Sequence, residues 1–111
     1  MIRGSSVYDS LEELWDLFNN EDTSYLLDDL KERVEGVLTG GRKPFSISWV
    51  STESDYAVAS ALGYLTDNKE GEKWSSSEGE EFYKMIKNEE EGILLVEISI
   101  PGMTDYLVIN F

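Results

Sequence analysis

The chain has 111 residues, 23 Asp and Glu against 9 Lys and Arg, a formal charge of −14, and neither His nor Cys. That length suits one domain, residues 1–111. The missing residue types exclude a disulfide, a Cys/His zinc site, a thiol nucleophile and a His general base. The charge argues against direct nucleic-acid binding by a basic surface, while 41% hydrophobic and 12% aromatic residues supply a core.

No signal peptide is read at the N-terminus, where one Arg is followed by no apolar stretch. No apolar run approaches the ~18–20 residues of a membrane span. The expectation is a cytoplasmic protein with no membrane association, in a host cytoplasm if virus-encoded.

Ser10-Leu11-Glu12-Glu13 has the form of a capping box. Leu11, Leu14, Trp15 and Phe18 follow at i, i+3, i+4 and i+7, the stripe of an amphipathic helix, with Glu12, Glu13 and Asp16 opposite. A second helix starts near Asp22 or Thr23. Its apolar stripe is Leu27, Leu30, Val34 and Val37 or Leu38, and Gly40-Gly41 stops it. The short connection predicts an αα-hairpin laid on one face of a sheet.

Phe45, Ile47 and Trp49 alternate with small and polar residues, predicting a strand over residues 45–50. Residues 55–65 admit two readings. Tyr56, Val58, Leu62 and Tyr64 alternate with small residues as in a strand. Yet Thr52-Glu53-Ser54-Asp55 is a capping-box form, and Val58, Ala61, Leu62 and Leu65 fit a helix. Alanine favours the helix and the aromatic ends favour the strand, and the reading taken is a strand paired with 45–50. Residues 67–71 read as a polar turn. A short third helix is expected over residues 78–88, with Phe82, Met85 and Ile86 inward. Leu94, Val96, Ile98 and Ile100 mark a strong strand, whose Ile93 and Leu95 suggest cover on both faces. Pro101-Gly102 is a turn pair, and residues 106–111 form the last strand. The predicted fold class is α+β: helices on one side of a small, mainly antiparallel sheet of about four strands.

Acidity is concentrated. Residues 9–35 hold ten acids and two bases, a net −8 of the total −14. Helical neighbours at i,i+3 or i,i+4 lie about 5–6 Å apart, and each strand of a double helix carries one charge per ~3.4 Å of rise. Two acidic helices can therefore imitate a phosphate rail or grip a basic cleft, with attraction speeding encounter. The same residues would also serve as a solvated outer face. A second acidic patch, from Glu70 through Glu78, Glu80 and Glu81 to Glu91, is interleaved with lysines. Trp74 has no apolar periodicity around it, so it is either an apolar anchor for a partner or a ring folded over a sheet edge. The candidate partner-binding residues are Glu12, Glu13, Asp16, Asp28, Asp29, Glu32, Trp74, Glu80 and Glu81.

Catalytic and metal signatures are weak. Gly40-Gly41-Arg42-Lys43 lacks Walker spacing. In Asp67-Asn68-Lys69-Glu70-Gly71-Glu72 a Lys stands where a calcium loop needs a ligand. No enzyme, metal or cofactor is expected.

The general character (small, strongly acidic, α+β, without catalytic signatures) is similar to that of inhibitors such as bacterial toxin-immunity proteins and phage anti-defence proteins. The likeness is one of composition, so it carries over no residues. The functional expectation is an acidic inhibitor, monomeric or homodimeric. It would block the nucleic-acid site of a basic protein such as a nuclease, in the manner of an anti-CRISPR or an immunity protein. The alternative is a non-catalytic scaffold module that pairs through an exposed sheet edge, at residues 45–50 or 106–111.

Overall fold

A computed structural model describes residues 6–8, 11–19, 24–38, 43–53, 55–75, 82–100 and 102–111, with side chains except at 6–8, 17–19, 24–29 and 100. The elements in chain order are β1 (Ser6–Tyr8), α1 (Leu11–Asn19), α2 (Ser24–Val37), β2 (Ser46–Ser51), α3 (Tyr56–Asp67), β3 (Glu72–Ser75), β4 (Phe82–Asn88), β5 (Ile93–Ile100) and β6 (Met103–Asn110). The fold is α+β, with three helices and an antiparallel sheet. Five strands run in the order β2-β6-β5-β4-β3, and the three-residue β1 extends the β2 edge.

Alternation in the central strands builds two cores. Ile47 and Trp49, Tyr83 and Met85, Leu94, Val96 and Ile98, and Leu107 and Ile109 face one way. Leu14 and Trp15 of α1, with Leu30, Val34 and Leu38 at α2, join them in one buried cluster. The opposite parity, Val50, Leu95 and Tyr106, packs with Ala59 of α3, and Leu62, Ile86 and Val108 border it. The sheet thus has helices on both faces, not on one as predicted. Strands β5 and β6 each present apolar residues to both sides, so a second cover is required.

Two further expectations are corrected. Residues 56–67 are helical. Asp55 caps the helix, its side chain accepting from the Val58 amide at 3.4 Å. Ala59, Leu62, Gly63 and Thr66 lie inward at helical spacing, while Val58, Ala61 and Leu65 are exposed. The stripe touching the sheet is therefore small rather than bulky. Residues 82–88 form β4 instead of a helix: Tyr83 and Met85 turn to one face, and Ile86 to the other. Phe82, Tyr83 and Ile86 are residue types that suit a pleated surface, and the strand pairs along its whole length with β5.

The topology also moves the edges. Strand β6 lies between β2 and β5, and β2 lies between β1 and β6. Neither residues 45–50 nor 106–111 form a free edge. The edges are β1 and the four-residue β3, which carries Glu72 and Lys73; short, charged edges discourage strand addition. At the β4–β5 turn Gly92 has φ +68°, and a Cβ there would lie 2.3 Å from the Phe111 carbonyl oxygen. Only glycine tolerates both demands. Gly102, at φ +83°, sits in the β5–β6 turn expected there. Ser10, Gly40-Gly41 and Pro101 lie outside the described residues.

Candidate functional site

Helices α1 and α2 cover the same sheet face, so their outward sides form one outer layer. On α1, Leu14 and Trp15 are buried while Glu12, Glu13 and Asp16 are exposed. On α2, Leu30 and Val34 are buried while Lys31, Glu32 and Glu35 are exposed. The amphipathic period places these acids outward because the apolar stripe is fixed against the sheet. Asp28 and Asp29 belong to α2, but their side chains lie outside the described set, as do Glu80 and Glu81 entirely.

Arg33, the second base of the two helices, turns toward the sheet edge. Its guanidinium pairs with Glu72 of β3 and stands 4.2 Å from the Trp74 ring centroid. Trp74 stacks in turn on Tyr83, its cross-strand neighbour, with centroids 4.9 Å apart and planes 8° from parallel. The Trp74 ring is half-buried and ties α2 to the β3–β4 edge. Among the described side chains of α1 and α2, the exposed charges are thus five carboxylates and Lys31.

Acids also occur elsewhere. Glu89, Glu90 and Glu91 are exposed at the β4–β5 turn, where Lys87 pairs with Glu89 at 3.3 Å. Asp67 and Glu70 lie beside Lys69, Lys73 and Lys84 around a shallow depression of about 460 Å³. Those two regions mix signs. The outer layer of α1 and α2 is more uniformly negative.

Under α3 lies a polar cluster that sequence reasoning did not find. Glu97 Oε2 accepts from Thr66 Oγ1 at 2.7 Å and from the Tyr106 hydroxyl at 3.2 Å. Thr66 Oγ1 is also 2.9 Å from the Gly63 carbonyl oxygen, so one proton serves two acceptors. Lys84, opposite Glu97 in the β4–β5 ladder, donates to the Thr66 carbonyl. Burial, and then the Glu97 charge, pushes the Tyr106 phenol well above the ordinary tyrosine range. On the other face, burial raises the Asp105 carboxyl, partly offset by the hydrogen bond from Trp49 Nε1 at 3.2 Å. These groups are engaged in holding α3 and β6 in place. Among the described residues no group of three or more acids is arranged to hold a metal ion.

The outward side of α3 is apolar. Tyr56 and Tyr64 are 75% and 69% exposed, and Val58 and Leu65 are 43% and 44% exposed. The signal was present in the sequence, as a helix reading with too many apolar residues for one buried stripe.

Comparison with family models, curated proteins and solved structures returns no significant match. The geometry therefore defines a class only: a small acidic α+β protein, helices on both sheet faces, with one acidic and one apolar helical surface. Among the described residues no helix is long and apolar enough to cross a membrane.

Proposed function

We propose that this chain is a non-catalytic inhibitor whose α1 and α2 surface occupies the nucleic-acid site of a basic protein. The observation that carries this reading is the exposed set Glu12, Glu13, Asp16, Glu32 and Glu35 on two helices of one layer, with Arg33 withdrawn to the sheet edge. Charges carried on folded helices avoid the ordering cost that disordered acidic segments incur on binding. Their spacing along each helix is comparable to that of phosphates. Long-range attraction speeds encounter with a basic cleft and penalises acidic competitors. A nuclease, a toxin or a component of a defence system presents the same positive groove, so this chemistry is common to the immunity and anti-defence roles.

The test is capture from cells of the source organism, with the wild type and a Glu12→Lys, Glu13→Lys, Glu32→Lys, Glu35→Lys variant. A nucleic-acid-binding protein should be retained at low salt and displaced by duplex DNA. It should also be released as salt rises past ~0.15 M, where the Debye length is about 8 Å. Charge reversal should weaken it by at least about tenfold, since exposed pairs contribute ~0.2–1 kcal/mol each. A folded variant that retains the same partner equally well overturns the proposal.

A further inference from the structure

We propose that the outward face of α3 is the interface of a weak two-fold homodimer. This inference stands independently of the acidic surface, which lies on the opposite side of the sheet.

Three observations converge. First, α3 packs on the sheet through Ala59, Leu62, Gly63 and Thr66, leaving Ala57, Ser60, Ala61, Tyr64 and Leu65 outward. The outward stripe is as apolar as the inward one. Single exposed apolar residues are ordinary, whereas a contiguous apolar patch marks an interaction surface.

Second, charge selects the occupant. Residues 56–66 form the longest uncharged run in a chain of net charge −14. A two-fold contact places each surface patch against itself. Any patch rich in acids would then meet its own acids. The α1 and α2 surface cannot self-associate for this reason, and the α3 face can. A basic partner would gain nothing from a face without charge. The acids nearest along the chain, Asp55 and Asp67, flank the helix at its two ends, and Glu91 lies beside Leu65 with Lys69, so repulsion between copies is kept to the margins of the patch.

Third, the area fits a weak dimer. Aromatic side chains offer ~150–250 Å² each, so Tyr64 with Leu65, the alanines and the flanking Tyr56 and Val58 present at most on the order of 400–500 Å² per copy. The total, roughly 800–1,000 Å², falls below the ~1,200 Å² of stable complexes and within the transient class. Ala57 and Ala61, one turn apart, allow a second helix close approach. Beyond Leu65 the surface continues into a groove of about 310 Å³ lined by Ile86, Ile93 and Leu95 together with Lys69, Asn88 and Glu91.

The experiment is sedimentation of the full chain over a wide concentration range at about 0.05 M and about 0.5 M sodium chloride, which differ in Debye length by about threefold. The wild type should shift from one toward two chain masses, and more so at high salt, because screening relieves repulsion between two copies of net charge −14. Ala61→Glu and Ala57→Glu, each placing an acid on the exposed stripe, should remain monomeric with unchanged circular dichroism. The chain lacks Cys, so oxidation of Ala61→Cys should yield a disulfide-linked dimer and Glu35→Cys should not. A wild type that stays monomeric throughout overturns the proposal. So does association that weakens with salt, persists in both glutamate variants, or crosslinks through Glu35→Cys. Capture of a different protein by α3 from a monomeric wild type has the same consequence. Salt moves this equilibrium and inhibitor binding in opposite directions, so each reading fails separately.

Discussion

Tyr106 carries the clearest single-residue consequence. Its ring is buried beneath α3, and its hydroxyl donates to Glu97, which also accepts from Thr66. Burial and the adjacent carboxylate both disfavour the phenolate, so the folded state holds the proton to higher pH than the unfolded chain does. The resulting stability is fully present below the unfolded tyrosine pKa of about 10 and is lost as pH rises from there toward the folded value. Tyr106→Phe removes a hydrogen bond to a charged acceptor and should cost about 1.5 kcal/mol at pH 7. The same substitution should flatten the alkaline limb, since no proton remains to be lost at that position. Urea titrations between about pH 7 and pH 10.5, a span that crosses the unfolded pKa, measure both. A variant whose stability falls as steeply as wild type above pH 10 would assign the alkaline limb to other groups.

At the scale of the element, α3 depends on the absence of a side chain. A Cβ on Gly63 would meet the Tyr106 hydroxyl oxygen at 2.7 Å. Glu97 holds that hydroxyl, so yielding is costly. A Cβ on Gly36, exposed in α2, would meet no side chain or other element within 4 Å. Helix propensity alone favours alanine at both by roughly 0.8–1 kcal/mol. Gly36→Ala should raise stability by up to that amount, whereas Gly63→Ala should lower it by about 1–2 kcal/mol, overpacking outweighing propensity. Equal gains at both positions, read by thermal or urea unfolding, would show that α3 has room to shift on the sheet. The same contrast shows what was legible beforehand. Strands β2, β5 and β6 and helices α1 and α2 announced themselves because each buries one face of bulky residues at a clear period. Helix α3 did not, because its buried stripe is small and its exposed stripe is large. Tyr56 and Tyr64, eight residues apart, satisfy alternation and helical spacing nearly equally. Strand β4 read as a helix because Phe82, Met85 and Ile86 fit a 3–4 spacing, although only the β5 ladder decides which face each one takes. Strand β3 is too short for any period, so Trp74 looked solitary when Tyr83 and Arg33 were its neighbours. Of the candidate interface, the exposed acids of α1 and α2 followed from composition and helix phase. The withdrawal of Arg33 to Glu72 did not, since it depends on where the sheet edge falls.

For the whole molecule, the question is whether a charge of −14 is felt as a strain on the fold. The chain spans 35 × 31 × 25 Å. At 0.01 M ionic strength the Debye length is about 30 Å, so every acid senses every other; at 0.15 M it is about 8 Å, and only neighbours interact. Two terms oppose each other as salt rises. The pairs Arg33 with Glu72 and Lys87 with Glu89 weaken, but exposed pairs contribute only ~0–1 kcal/mol each. Repulsion among the excess acids also weakens, and it acts across the molecule in far more pairs. The unfolded chain keeps the same charges farther apart, so screening favours the folded state. The melting temperature should therefore rise with sodium chloride between these two ionic strengths by about 5 °C, since ~1 kcal/mol corresponds to ~4–8 °C in a domain of this size. Chloride is the salt to use, because sulfate would stabilise by exclusion from the surface whatever the charge. The Ala61→Glu variant at low concentration keeps association from contributing. Most of the gain should be reached by physiological ionic strength, where the Debye length is already shorter than the molecule. A melting temperature that is flat or falls over this range would mean that the fold spreads its excess acids too far apart to repel one another. The α1 and α2 surface would then lack the concentrated negative field that an inhibitor of a basic protein requires.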